Sequence, residues 1–186
     1  MARSRARGGR PRPVSPSAVP AAAPSLAAAT SPRVWQSVGY RALAEVTSLR
    51  GLFDFAAAAW PPQDPCLAWE ATIGPDDRLV GGVVAERDGD TAMLYGPLIV
   101  DEDGNTTVSD RLDMAAQLVA AALEHARALG IRTAFARPQG VDRIWVRFGF
   151  IPLPESTLPA GLRGRPGAGL FAWRGGSALW TLRESG

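Results

Sequence analysis

Residues 79–101 read LVGGVVAERDGDTAMLYGPLIVD and residues 108–130 read VSDRLDMAAQLVAAALEHARALG. The first stretch holds two apolar runs, Leu79 to Glu86 and Thr91 to Val100, separated by Asp88-Gly89-Asp90, which carries turn chemistry. A third run, Cys66 to Ile73, precedes them across Gly74-Pro75-Asp76-Asp77, so the three predict an antiparallel meander. In the second stretch Val108, Leu112, Ala115, Val119, Leu123, Ala126 and Leu129 recur every three or four residues. That spacing puts them on one stripe of a helix, which Gly130 ends and for which Thr107 and Asp110 form a capping pair.

Upstream of the meander, Val38, Leu43, Val46, Leu49, Leu52 and Phe53 fall near helical spacing with an interruption at Gly51. They predict two short helices, terminated by Pro61, Pro62 and Pro65. Downstream, Arg132 to Ala136 reads as a short strand and Val141 to Phe148 as a second, shorter helix. LFAWR and SALWTLR flank Gly175-Gly176, a candidate hairpin.

The 186 residues suit one hydrophobic core. No apolar run approaches the roughly 18–20 residues of a membrane helix. The lone Cys66 cannot form an internal disulfide, and the lone His125 has no Cys or carboxylate partners at metal-ligand spacing. His125 lies in the C-terminal half of the long helix, where the dipole favours a partly cationic imidazole. All 20 basic residues are Arg, which excludes a Schiff-base lysine. Six of them (Arg3, Arg5, Arg7, Arg10, Arg12 and Arg33) lie in residues 1–33, which hold no acid, so residues 34–186 carry 14 Arg against 18 acids; the body is acidic and nucleic acid is not an expected partner. Residues 1–33, rich in Arg, Ala and Pro, lack large apolar side chains and read as disordered, with the domain covering 34–186. Their composition also matches an organelle transit peptide, so the expected location is cytoplasmic or, on that alternative, organellar.

The order of helices, meander, long helix, strand (IRTAFARP), and short helix closing on Gly-Phe (IWVRFGF) resembles the GNAT superfamily of acetyl-CoA-dependent N-acetyltransferases. The resemblance implies an α/β domain with a mixed, mostly antiparallel sheet flanked by helices, and transfer of an acetyl or acyl group from coenzyme A to an amine. The acceptor would be a small molecule or a protein, and a homodimer is compatible with the family. The resemblance also implies coenzyme contacts at Leu98 and Val100 on the third strand and at a pyrophosphate loop placed at Asp110, Arg111, Asp113 and Ala115. Only Ala115 fits the loop pattern of the family, because Asp113 stands where a glycine is expected and Asp110 where Gln or Arg is. Carboxylates there compete with phosphate for the helix-terminal N–H groups.

The family's general base implies Glu70 or Glu86 on the central strands. A family tyrosine that protonates the leaving thiolate is replaced by Trp145, leaving a backbone- or water-mediated route, or Tyr95 on the third strand, to substitute. Trp145 and Trp173 would wall the acceptor cleft, and PLPESTLPAGLRGRPGAG (152–169) would be its variable loop or an exposed connection. Gly81-Gly82 marks a bulge or a close approach of backbone. Two functions follow: an acyltransferase, or a catalytically silent relative binding a protein or small ligand in the same cleft.

Overall fold

The computed structural model describes residues 23–101, 104, 106–137, 142–166 and 169–174. The meander is present as β3 (Leu67–Ile73), β4 (Arg78–Asp88) and β5 (Thr91–Ile99), antiparallel throughout. β5 then pairs in parallel with β6 (Thr133–Ala136), because helix α3 (Val108–Ala128) carries the chain back across one face of the sheet. β8 (Phe171–Arg174) pairs with β6, and β7 (Ile151–Pro152) with β8, both antiparallel. The candidate hairpin beyond Gly175 lies outside the described residues.

The chain ahead of β3 departs from expectation. The first predicted helix is a β-hairpin, β1 (Arg33–Trp35) and β2 (Val38–Ala42), with β2 paired to β3. Its residues alternate in period two: Val38 and Tyr40 are buried while Gly39 and Arg41 are not. The turn is Gln36-Ser37, both at positive φ. That conformation usually calls for Asn or Gly, so the sequence carried no hairpin signal there. The second predicted helix is present as a 3-10 turn, Val46–Leu49, running into α2 (Arg50–Phe55).

Ordered structure also begins ahead of Val34, the expected domain boundary. A one-turn helix, α1 (Leu26–Ala29), buries Ala29 completely, and Ser25 caps it. Arg33 reaches Glu124 on α3 at 2.6 Å and stacks its guanidinium 5.3 Å from the Trp69 ring. These contacts offset the ordering entropy that the composition of the segment could not.

Two cores result, one on each face of the sheet. On one face α3 and α4 (Asp142–Arg147) cover Val83, Leu94, Ala134 and Trp173. α3 buries Ala115, Val119, Leu123 and Ala126 as expected, but also Met114, Leu118 and Ala122, so its buried face is wider than one stripe. Val108 is exposed instead. Thr107 and Asp110 form the expected capping box, and Gly130, at φ 80°, ends the helix with Ile131 N–H bonded to the Ala126 carbonyl. On the other face Leu49, Leu52, Phe53, Leu158 and Leu162 cover Val84, Met93 and Tyr95.

The glycine pair on β4 joins the two cores. A Cβ on Gly81 would lie 2.7 Å from the Leu98 carbonyl oxygen, and one on Gly82 would lie 2.9 Å from Leu49. β5 bulges opposite this point, with Gly96-Pro97 facing Val83 alone. Gly81→Ala must displace backbone rather than a side-chain tip, so a loss of about 1–3 kcal/mol is expected in urea unfolding. Arg33→Ala should lose about 1 kcal/mol by the same measurement, since its ion pair is half-exposed and its ring contact is worth a similar small amount.

Candidate functional site

β5 has unequal neighbours. β4 pairs with it as far as Ile99, whereas β6 pairs only from Thr91 to Leu94. β6 stops at Ala136 because Arg137 is drawn away, donating to both carboxylate oxygens of Glu155 and to the Gly169 carbonyl. Among the described residues, no strand therefore covers the outer edge of β5 from Tyr95 to Ile99. Val100 N–H donates to the Val80 carbonyl at 2.9 Å. Antiparallel alternation then turns Leu98 toward β4 as well and leaves the N–H and C=O of Ile99 pointing outward. Leu98 and Val100, expected to contact the coenzyme, turn their own backbone groups toward β4.

That edge leads to the start of α3. A cleft of about 310 Å3 lies beside it, with an apolar floor from Val38, Ile73, Val80 and Met114 and a polar rim that includes Arg78, Asp101 and Asp110. Asp110, Arg111, Asp113 and Ala115, expected as a loop, are the first turns of the helix itself. Asp110 lines the cleft, and Arg111 is exposed. Asp113 lies 3.4 Å from Arg147 on α4. Burial, and to a lesser degree the charge of Asp113, push the Tyr40 hydroxyl up to about 12. Ala115 is fully buried in the core. Carboxylates hold some of the N–H groups at the helix start, Asp110 among them together with Asp101. Thr106 N–H donates to Asp101 at 3.0 Å, Thr107 N–H to Asp110 at 3.2 Å, and Asp110 N–H to the Thr107 hydroxyl. The N–H groups of Val108 and Ser109 are left as the helix-terminal donors without an intrahelical partner.

On the opposite face, β4 and β5 bring Glu86 and Tyr95 together. The phenol donates to Glu86 Oε1 at 2.5 Å, and the carboxylate has no solvent exposure. Arg165, from the segment after β7, closes the group: Nε lies 2.5 Å from Oε1 and Nη2 2.9 Å from Oε2. Burial, and then the bond to Glu86, hold the Tyr95 phenol well above its ordinary range. Glu70 is not part of this group. It pairs with Gly82, four residues from Glu86 along β4 and so about 13 Å away, and its carboxylate is held by Arg41. Sequence reading found the two carboxylates but neither arginine, because nothing local in the sequence marks a pairing across 79 residues.

No family model and no curated protein matches the sequence. Solved structures do match in shape. The catalytic domain of the Tetrahymena GCN5 histone acetyltransferase, in complex with coenzyme A, is similar over 76% of this chain and 95% of its own, at 9% identity and a TM-score of 0.53. An acetyltransferase from Streptococcus agalactiae is similar over 75% of this chain and 99% of its own, at 13% identity and a TM-score of 0.51. N-acetylglutamate synthase from Neisseria gonorrhoeae, complexed with coenzyme A and N-acetyl-glutamate, is similar over 76% of this chain at 16% identity and a TM-score of 0.52. This chain spans only 35% of that synthase. The fold is that of the GNAT acetyltransferases.

Within this GNAT fold the two tryptophans expected at the acceptor cleft are core residues. Trp145 has no exposure and packs edge-on to Phe150 at 4.9 Å, and Trp173 is 1% exposed on the α3 face. Among the described residues, no group of three or more His, Cys, Asp or Glu is placed to hold a metal, and no helix is long and apolar enough to cross a membrane.

His125 is buried and accepts the Trp69 indole N–H at Nδ1, 3.3 Å away. Burial lowers its pKa, so the helix dipole does not make it cationic. A histidine depressed in the folded state takes up its proton more readily when unfolded. Its contribution is complete above the unfolded value of about 6.5 and is lost as pH falls toward the folded one. Urea unfolding at pH 7.5 and 5.0 should show His125→Gln losing less stability between the two than wild type; equal losses would contradict a buried neutral imidazole.

Proposed function

We propose that this GNAT-fold chain binds an acyl-CoA thioester along the outer edge of β5 and transfers its acyl group to an amine. The observation that carries this reading is the parting of β5 from β6 after Leu94 and Ala136. It leaves the outward peptide groups at Ile99 to pair with an amide-bearing arm, as a further strand would. When bound, the coenzyme supplies an activated acyl thioester. The chain supplies the β5 edge, the N–H groups of Val108 and Ser109 for a phosphate oxygen, and the Glu86–Tyr95 pair next to the bulge.

The donor set fits the two ends of the coenzyme unequally. An edge strand suits the amide-bearing arm, whereas Asp101 and Asp110 already hold donors at the helix start and bring negative charge to it. Holding two reactants in register supplies much of the rate that such a site needs, so weak phosphate contacts are compatible with turnover. Both Glu86 oxygens are bonded, so in this arrangement the amine proton leaves to water rather than to Glu86.

The same carboxylates favour a second reading, a silent relative that binds its ligand without the coenzyme. Calorimetric titration with acetyl-CoA separates the two: saturable binding supports transfer, and none supports the silent relative. If binding occurs, Asp110→Asn should tighten it about threefold to tenfold, or roughly 0.7–1.4 kcal/mol, by removing one charge from the helix terminus. A weaker affinity in that variant would mean that Asp110 helps hold the ligand.

A further inference from the structure

Glu86 is a carboxylate in the middle of a central strand, with no solvent exposure, among Val84, Met93 and Leu162 of the second core. Burying an ion pair in such a place gains little stability over apolar packing of similar shape. The arrangement is instead a complete recognition site for a planar cation. Two parallel N–H groups meet the two carboxylate oxygens, the Tyr95 hydroxyl fixes Oε1 from the side, and the Gly161 carbonyl takes another N–H of the same guanidinium at 2.8 Å.

The cation that fills it is weakly held by its own backbone. Leu158 and Leu162 anchor the segment in the core, but Arg163, Gly164 and Pro166 are exposed. The backbone bond in this stretch is Arg163 N–H to the Ala160 carbonyl at 3.3 Å, inside the segment itself. The Arg165 side chain is what ties it to the sheet, and that side chain is 12% exposed, so its head lies at the border between solvent and Glu86.

We infer that Glu86 and Tyr95 form a binding site for the guanidinium or ammonium group of an external ligand, which Arg165 fills in cis and which the ligand enters by displacing it. This rests on the proposed function only for the later fate of the ligand, as the amine acceptor or as one part of it. The exchange is balanced in charge: one cation replaces another on the Glu86 carboxylate, and the freed Arg165 side chain moves into solvent. The ligand class follows from the plug. It is an unbranched alkyl chain ending in a guanidinium or ammonium group, with no negative charge near the cationic end.

The probe is butylguanidine, with coenzyme A absent throughout. Arg165→Ala should bind it at least tenfold more tightly than wild type by calorimetry, and Arg165→Ala combined with Glu86→Gln should lose that gain. In wild type, saturating probe should speed amide hydrogen exchange at Arg163, whose N–H bonds to the Ala160 carbonyl. If Arg165→Ala does not fold, the wild-type exchange experiment decides alone. A folded Arg165→Ala without the gain overturns the proposal, as does a gain that survives loss of Glu86, or a wild-type Arg163 amide that does not respond. Because no arm contains the coenzyme, any of these results leaves the acyl-CoA reading standing, and a failure to bind acetyl-CoA leaves this one standing.

Discussion

Two missing methyl groups set the geometry of the sheet. Gly81 and Gly82 sit where β4 is pressed from both faces and from the side: Leu118 and Ile99 close on Gly81, Leu49 and Leu52 on Gly82, and the Leu98 carbonyl lies against the first. With side chains there, α3 and the Val46–Phe55 segment could not both pack on β4, and β5 could not run so close after its bulge. The bulge in turn sets which β5 peptide groups face β4 and which face outward. Every later feature of the edge, including the exposure of Ile99, inherits that parity.

The two faces of the sheet use polar groups differently. The α3 face buries a neutral imidazole against an indole and otherwise packs apolar side chains, which makes it the stable platform. The opposite face holds two carboxylates, Glu70 and Glu86, each on an arginine from another element. Arg41 is a neighbouring strand residue and half-exposed, so water reaches its guanidinium although Glu70 itself is buried. Arg165 comes from an irregular segment to a carboxylate that has no water, where losing the partner leaves a buried unpaired charge.

What the sequence disclosed follows from how local each signal is. The meander and α3 were legible because turn residues and a periodic apolar pattern lie within a few residues of each other. The β1–β2 hairpin was not, because Gln36-Ser37 adopts a turn that those residues rarely announce, and the apolar residues around it also fit helical spacing. Glu86 and Tyr95 were candidates only through the resemblance to the family, not through any local pattern. Their partner Arg165 and the core positions of Trp145 and Trp173 depend on long-range packing that no local pattern encodes, whereas the cap formed by Thr107 and Asp110, three residues apart, was legible.

The outer edge of β5, beyond the bulge, is the proposed seat of the acyl donor, and amide hydrogen exchange of the wild-type chain with and without saturating acetyl-CoA tests it residue by residue. The Ile99 amide, which points away from β4, should become protected, while Val100, already bonded to Val80, should change little. Saturating acetyl-CoA that protects other segments and leaves Ile99 exchanging at its free rate would contradict it.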